Sequence, residues 1–89
     1  MAQCPPELLD DLTDVLAELR TWAGIIEKKP GVFYALSHPF LHFHLVEGGR
    51  RRADIKGRTT WVQLDLPRPV SATKRRAFLR ELRARYGEK

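Results

Sequence analysis

The 89-residue chain predicts an α+β fold, a two-layer sandwich in the order α-β-β-β-β-α, with both helices on one face of a four-stranded antiparallel meander. Three observations lead there. Apolar residues recur at helical spacing near both ends, they alternate at strand spacing between, and glycine and proline fall mostly at the joints. A chain this short buries only a little over ~60% of its unfolded surface, so residues 1–89 are expected to make one domain around one small core.

The first helix is predicted over about residues 6–28. Pro5 and Pro6 suit its entry, where a missing N–H costs nothing. Leu8, Leu12, Val15, Leu19, Trp22 and Ile26 then form a continuous stripe, widened by Leu9, Leu16 and Ala23. Glu7, Asp10, Asp11 and Asp14 crowd the first turns, where the helix dipole favours negative charge. Lys28 and Lys29 suit the opposite end, and "KKPG" is read as its terminator.

Four strands follow, over about 31–36, 40–46, 51–56 and 60–66. "GVFYALS" is aromatic and β-rich, and "SHP" suits a turn. In "FLHFHLV", Leu41, Phe43 and Leu45 share one side, and Phe40, His42, His44 and Val46 the other. "RRADIK" turns Ala53 and Ile55 one way and Arg52, Asp54 and Lys56 the other. "TWVQLDL" sets Val62, Leu64 and Leu66 against Trp61, Gln63 and Asp65. A two-residue turn at Gly57-Arg58 would pair Ile55 with Thr60 and Ala53 with Val62, keeping the apolar sets together. The preceding hairpin resists the same treatment, because a Gly48-Gly49 loop would put His44 beside Ala53. A one-residue slip flips every side chain. An odd-numbered loop or a glycine bulge at "EGGRR" is therefore predicted.

The last helix is expected over about 72–86, capped by Ser71 or Thr73. Phe78, Leu79, Leu82 and Tyr86 form its apolar side, and Arg76, Arg80 and Arg83 a basic stripe. Lys74, Arg75 and Arg76 stand in its first turn, against the dipole.

Net charge is +5, unevenly spread. Residues 1–29 carry six acids and three bases, residues 50–58 five bases and one acid, and residues 68–89 eight bases and two acids. An acidic front and a basic back fit either an anionic partner or complementary packing of the two helices. No run approaches the ~18 apolar residues of a membrane span, and "MAQCPPELLDD" lacks a basic start followed by an apolar stretch. The expectation is a cytoplasmic protein with no membrane partner. The single cysteine, Cys4, excludes an internal disulfide and agrees with a reducing compartment.

The face turned away from the helices would then carry Phe40, His42, His44, Arg52, Asp54, Lys56, Trp61, Gln63 and Asp65. Four functions compete for it. His42 and His44, two apart on a strand, project in parallel and suit one zinc or iron ion, with His38, Asp54 or Asp65 as a third ligand. No second His or Cys cluster supports that site, so no cofactor is the first expectation. His42 with His44 or Asp54 also suits metal-free acid–base chemistry on RNA, yet no nucleophile elbow, phosphate loop or zincin pattern accompanies them. Arg50, Arg51, Arg52, Lys56 and Arg58 supply cations for phosphates, with Trp61 and His42 to stack bases. Finally, Phe40, Val46 and Trp61 would expose apolar area that suits a homodimer. The favoured reading is a non-enzymatic protein that binds nucleic acid or another polyanion.

At "FLHFH…ADIKG…WVQLDLP…RRAFLRELRARYG", about residues 30–87, the chain resembles a set of small uncharacterised bacterial proteins. Some of their wider relatives carry a luciferase-like label. The order of elements also resembles the YjbR-like and frataxin-like fold. The frataxin resemblance implies iron binding by an acidic first helix, where Asp10, Asp11 and Asp14 lie. The YjbR-like resemblance implies DNA binding, in line with the basic back. Neither transfers a catalytic residue.

Overall fold

The computed structural model describes residues 2–88. The chain runs β1 (Ala2–Gln3), a 3-10 helix over Pro6–Leu12, α1 (Thr13–Arg20), β2 (Ile25–Lys29), β3 (Val32–Ala35), β4 (His38–Val46), β5 (Arg50–Lys56), β6 (Trp61–Leu66) and α2 (Ala72–Tyr86). One antiparallel sheet has the order β2-β3-β4-β5-β6, and β1 pairs with the far end of β4 through Ala2↔Leu45 and Gln3↔His44. The α+β class holds, with a wider sheet than the meander expected.

The extra edge strand, β2, comes from the predicted first helix, which ends at Arg20 instead of 28. Thr21 stops it, its hydroxyl and amide both donating to the Glu18 carbonyl. Gly24 then takes φ +78°, a left-handed conformation that glycine adopts at little cost. Ile25 and Ile26 are β-branched and pair with Ala35 and Tyr34 of β3. "KKPG" is thus a hairpin turn, not a helix end. Gly31 at φ +78° follows Pro30, the arrangement a type II turn needs. The apolar stripe from Leu8 to Trp22 packs on the core, although its first part is a 3-10 helix and the helix stops at Arg20, whereas its last member, Ile26, lies on the open sheet face and is exposed.

The β4–β5 connection is the odd-numbered loop expected from the hydrophobic pattern. Glu47, Gly48 and Gly49 span it, with both glycines at positive φ, and Val46 pairs with Arg50. Leu41 accordingly faces Ile55, and Phe43 faces Ala53. The β5–β6 turn is longer than expected, with four residues from Gly57 to Thr60 and Lys56 opposite Trp61. Ile55 therefore pairs with Val62 and Ala53 with Leu64, a register displaced by two residues. A shift of two preserves every side chain's face, so the pattern alone did not distinguish the registers.

Both helices cover the face carrying Phe33, Leu41, Phe43, Ala53, Ile55 and Leu66. Leu12, Val15, Leu16 and Leu19 come from the first helical segment, and Phe78 and Leu82 from α2. Phe78 meets Phe43 edge-on at 5.9 Å between ring centroids. Burial of each such side chain favours folding by roughly 1.5–3 kcal/mol. Ser71 caps α2, its Oγ accepting from the Lys74 amide at 3.1 Å. The far end of α2 is tied to the loop after α1, where Tyr86 donates to the Ala23 carbonyl and stacks at a tilt on Trp22.

Phe40 departs from its expected place on the open face. It is fully buried beside Leu41, and its ring packs edge-on against Tyr86 at 6.2 Å. The pairing of β3 with β4 slips between Phe33 and Tyr34, so β4 carries an extra residue there. That bulge rotates Phe40 beneath α2.

Candidate functional site

The uncovered face is built by strict alternation along β4, β5 and β6. Cross-strand pairing aligns His42 with Asp54 and Gln63, and His44 with Arg52 and Asp65. Both imidazoles point away from the helices, as alternation required, and both are half-buried. With β2 and β3 included, the face extends to Ile26, Val32 and Tyr34, and Lys28 places its Nζ 5.1 Å from the Tyr34 ring centre.

A charged network occupies its centre. Arg52 Nε donates to Asp54 Oδ1 at 2.9 Å, and His44 Nε2 lies 3.2 Å from Asp54 Oδ2. Asp54 therefore serves Arg52 and His44 rather than His42. The His42 ring sits 6.1 Å from that of His44 and meets the Trp61 ring edge-on at 5.7 Å. Its Nε2 is buried with no hydrogen-bond partner among the described residues. Burial, and then the neighbouring His44, hold the His42 pKa below its ordinary value despite Asp54. This ring is therefore kept neutral near pH 7. Among the described residues no group of three or more His, Cys, Asp or Glu side chains converges as metal ligands would. His38 lies at the end of the sheet, in the cleft described below.

The basic run is divided by strand parity. Arg51 does not join a phosphate-binding surface, because it faces the covered side and is 2% exposed. Its guanidinium donates to both oxygens of Asp11, to the carbonyls of Leu8 and Pro67, and through Nε to the carbonyl of Leu66. Burial raises the Asp11 pKa, but hydrogen bonds from Arg51 and the Val70 amide, with the guanidinium charge, outweigh it and hold the carboxyl below its usual range. Asp11 is thus a core ion-pair partner, and Asp10 pairs with Arg68 at 2.9 Å. Of the two, Asp11 is withdrawn from the surface, and Asp10 stays exposed. Arg50 is exposed and reaches the Glu47 carbonyl at the loop end of β5, roughly 20 Å along the strand from Lys56.

Lys56, Arg58 and Trp61 come together at the opposite end. They line a cleft of about 620 Å³ with Leu36, His38, Pro39 and Glu88. Trp61 is 42% exposed, and the Lys56 Nζ lies 5.4 Å from its ring centre. Leu36 is 59% exposed and, with Ser37, forms the β3–β4 turn at φ 52° and 72°. Left-handed backbone costs a non-glycine residue roughly 1–2 kcal/mol, so an exposed leucine held there is a feature of the cleft rather than of the core. Sequence patterning missed Leu36 because "ALSHP" carries none of the glycine or asparagine that usually marks such a turn. It also missed Glu88, whose place depends on where α2 ends against the Gly57 turn. A second hollow of about 410 Å³, on the open face, is lined by Gln3, Lys28, Lys29, Val32, Tyr34, His42, Phe43 and His44.

Comparison with protein-family models, with curated proteins and with solved structures finds no match to this chain.

Proposed function

We propose that this protein is a non-enzymatic binder of single-stranded nucleic acid, and that the cleft at the Lys56–Trp61 end of the sheet holds the strand. The observation that carries the reading is the half-exposed indole of Trp61 beside Lys56 and Arg58 in one concavity. An indole face stacks any unpaired base, worth roughly 1–3 kcal/mol per base, and adjacent cations take the flanking phosphates. Leu36 supplies an apolar wall. His42 lies behind the indole as a neutral ring, supporting its orientation without adding charge that would compete with the bases. Of the other arginines of the basic run that lie outside the core, Arg50 stands too far along β5 to share this cleft, and Arg52 is occupied by Asp54. The cytoplasm suits this activity and keeps Cys4 reduced. None of the helices among the described residues is long and apolar enough to cross a membrane.

The test is fluorescence anisotropy of labelled oligonucleotides, single- and double-stranded, titrated across ionic strength. Single strands should bind more tightly than duplex, with affinity falling as salt rises. Absence of salt-dependent binding at low ionic strength, or binding that survives Trp61→Ala unchanged, overturns the reading.

A further inference from the structure

The Gly57–Thr60 turn holds an anion already, and the anion belongs to the protein. Glu88, just beyond α2, lays its carboxylate against the turn, with Oε1 accepting from the Arg58 backbone N–H at 3.1 Å. Its Oε2 accepts from Arg85 Nη1 at 2.9 Å. Arg85 is in turn oriented by Glu81, one helical turn earlier, through a 2.8 Å bond from Nε. The turn is fixed by the Gly57 amide donating to the Thr60 carbonyl at 2.9 Å. Lys56, Arg58 and Trp61 stand beside this carboxylate in the cleft.

Gly57 explains how the carboxylate comes so close. Its φ lies outside the left-handed region, so turn geometry does not demand glycine there. A Cβ at this position would stand 2.4 Å from Glu88 Oε1 and 3.3 Å from Arg85 Cδ. The missing side chain leaves a seat over the backbone, with an amide N–H on one side and a guanidinium on the other. Backbone N–H groups beside a glycine are a recurrent way of cradling phosphate oxygens.

We infer that this seat, formed by the Gly57–Arg58 backbone and Arg85, is the phosphodiester-binding subsite of the cleft, and that Glu88 occupies it as an internal competitor until a nucleic-acid strand displaces it. The inference rests on the nucleic-acid reading above and adds Arg85, Gly57 and Glu88 to it. The chemistry matches in detail. A carboxylate presents two oxygens and one negative charge, and a phosphodiester presents two non-bridging oxygens and one negative charge. Both satisfy the same N–H and guanidinium donors. Glu88 is partly solvated, so it leaves at modest cost, since exposed ion pairs of this kind are weak. Displacement also frees Arg85 to face the strand while Glu81 still aims it.

The experiment compares oligo(dT) binding at low salt by the full chain and three variants, with the Arg58 amide followed by NMR. Glu88→Gln should bind about two- to fivefold more tightly, the range expected on removing one exposed ion-pair competitor. Asp14→Asn makes the same change in net charge on α1, outside the cleft, and should leave affinity unchanged. Gly57→Ala also ejects Glu88, but its methyl fills the seat, so it should bind more weakly than the unmodified chain. The Arg58 amide resonance should move as oligo(dT) is added. The inference is overturned if Glu88→Gln binds no better than Asp14→Asn, if Gly57→Ala tightens binding as Glu88→Gln does, or if saturating oligonucleotide leaves the Arg58 amide in place. Those results leave the Trp61 reading standing when oligo(dT) binding still depends on Trp61. Failure of every variant and of the unmodified chain to bind overturns both.

Discussion

Arg51 and Arg58 belong to the same basic run, yet they have opposite surroundings. Arg51 is sealed under the 3-10 helix, its guanidinium shared among Asp11 and three backbone carbonyls. Arg58 sits on an exposed turn at the mouth of a cleft beside an exposed indole. Between them, Arg52 lies on the open face and is held by Asp54. Identical side chains are thus divided into a structural tie, a neutralised surface residue and an exposed cation lining the cleft. The lesson is that a run of charge in a strand cannot be read as one patch, because alternation sends neighbours to opposite faces.

The largest effect should come from attacking the buried tie. Arg51→Met takes the guanidinium from the carbonyls of Leu8, Leu66 and Pro67 and leaves the Asp11 carboxylate buried with the Val70 amide but no counter-charge, and should cost about 3–5 kcal/mol in denaturant unfolding. Arg58→Met should change stability by no more than about 0.5 kcal/mol. Similar costs for the two would mean that Arg51 and Arg58 are equally structural. Acid should expose the same tie. Because the folded pKa of Asp11 is depressed, its contribution is present above the ordinary carboxylate value of about 3.9 and is lost as pH falls through the lower folded value. Asp11→Asn should therefore lower stability near neutrality and flatten the acid limb of the stability curve.

The cleft end should respond in binding rather than in stability. Trp61→Ala is expected to weaken single-strand binding about tenfold, in keeping with one lost stack of roughly 1–3 kcal/mol, while leaving the unfolding midpoint nearly unchanged. A fall in both together would mean that the indole is packing, not a platform. Smaller still are the separate charges. Lys56→Gln and Arg58→Gln should each reduce the slope of log affinity against log salt by about 0.7, whereas Arg52→Gln should leave it unaltered. A slope that drops equally for all three would show that total charge, not location, governs binding.

The smallest expected signal lies beneath Trp61. His42 is held below its ordinary pKa by burial and by His44, so the folded protein takes up its proton later than the unfolded chain does. Stability from this group is complete above about pH 6.5 and erodes as pH falls below that value toward the folded pKa. His42→Phe should remove that part of the pH dependence, measured as the unfolding midpoint between pH 7 and pH 5. An unchanged profile would mean that the imidazole does not pay for its burial.

Much of this arrangement was legible from local patterning. The span of α2, the outward direction of His42 and His44, and the odd length of the loop at Gly48 and Gly49 follow from periodicity and from the need to keep one sheet face apolar, whereas the choice of Ser71 over Thr73 as cap and of three residues for the loop was left to the structure. The site was legible in part. Lys56, Arg58 and Trp61 line one cleft, but the sequence also sets Arg51 among them, because a string of arginines does not reveal which one will meet Asp11, 40 residues away. Phe40 was misplaced for a related reason, since a bulge leaves no mark in the strand's own alternation.

The sequence by itself determined which residues alternate, where helices and turns can start, and therefore which faces are apolar; these are short-range consequences of backbone geometry and side-chain type. Tertiary structure alone decided that Ile25–Lys29 would leave the helical stripe to pair with β3, that Arg51 would be sealed and Arg58 left open, and that Glu88 would meet the Gly57 turn. Those outcomes depend on partners distant in the chain, whose hydrogen bonds and buried area outweigh local preference only once the sheet has brought them together.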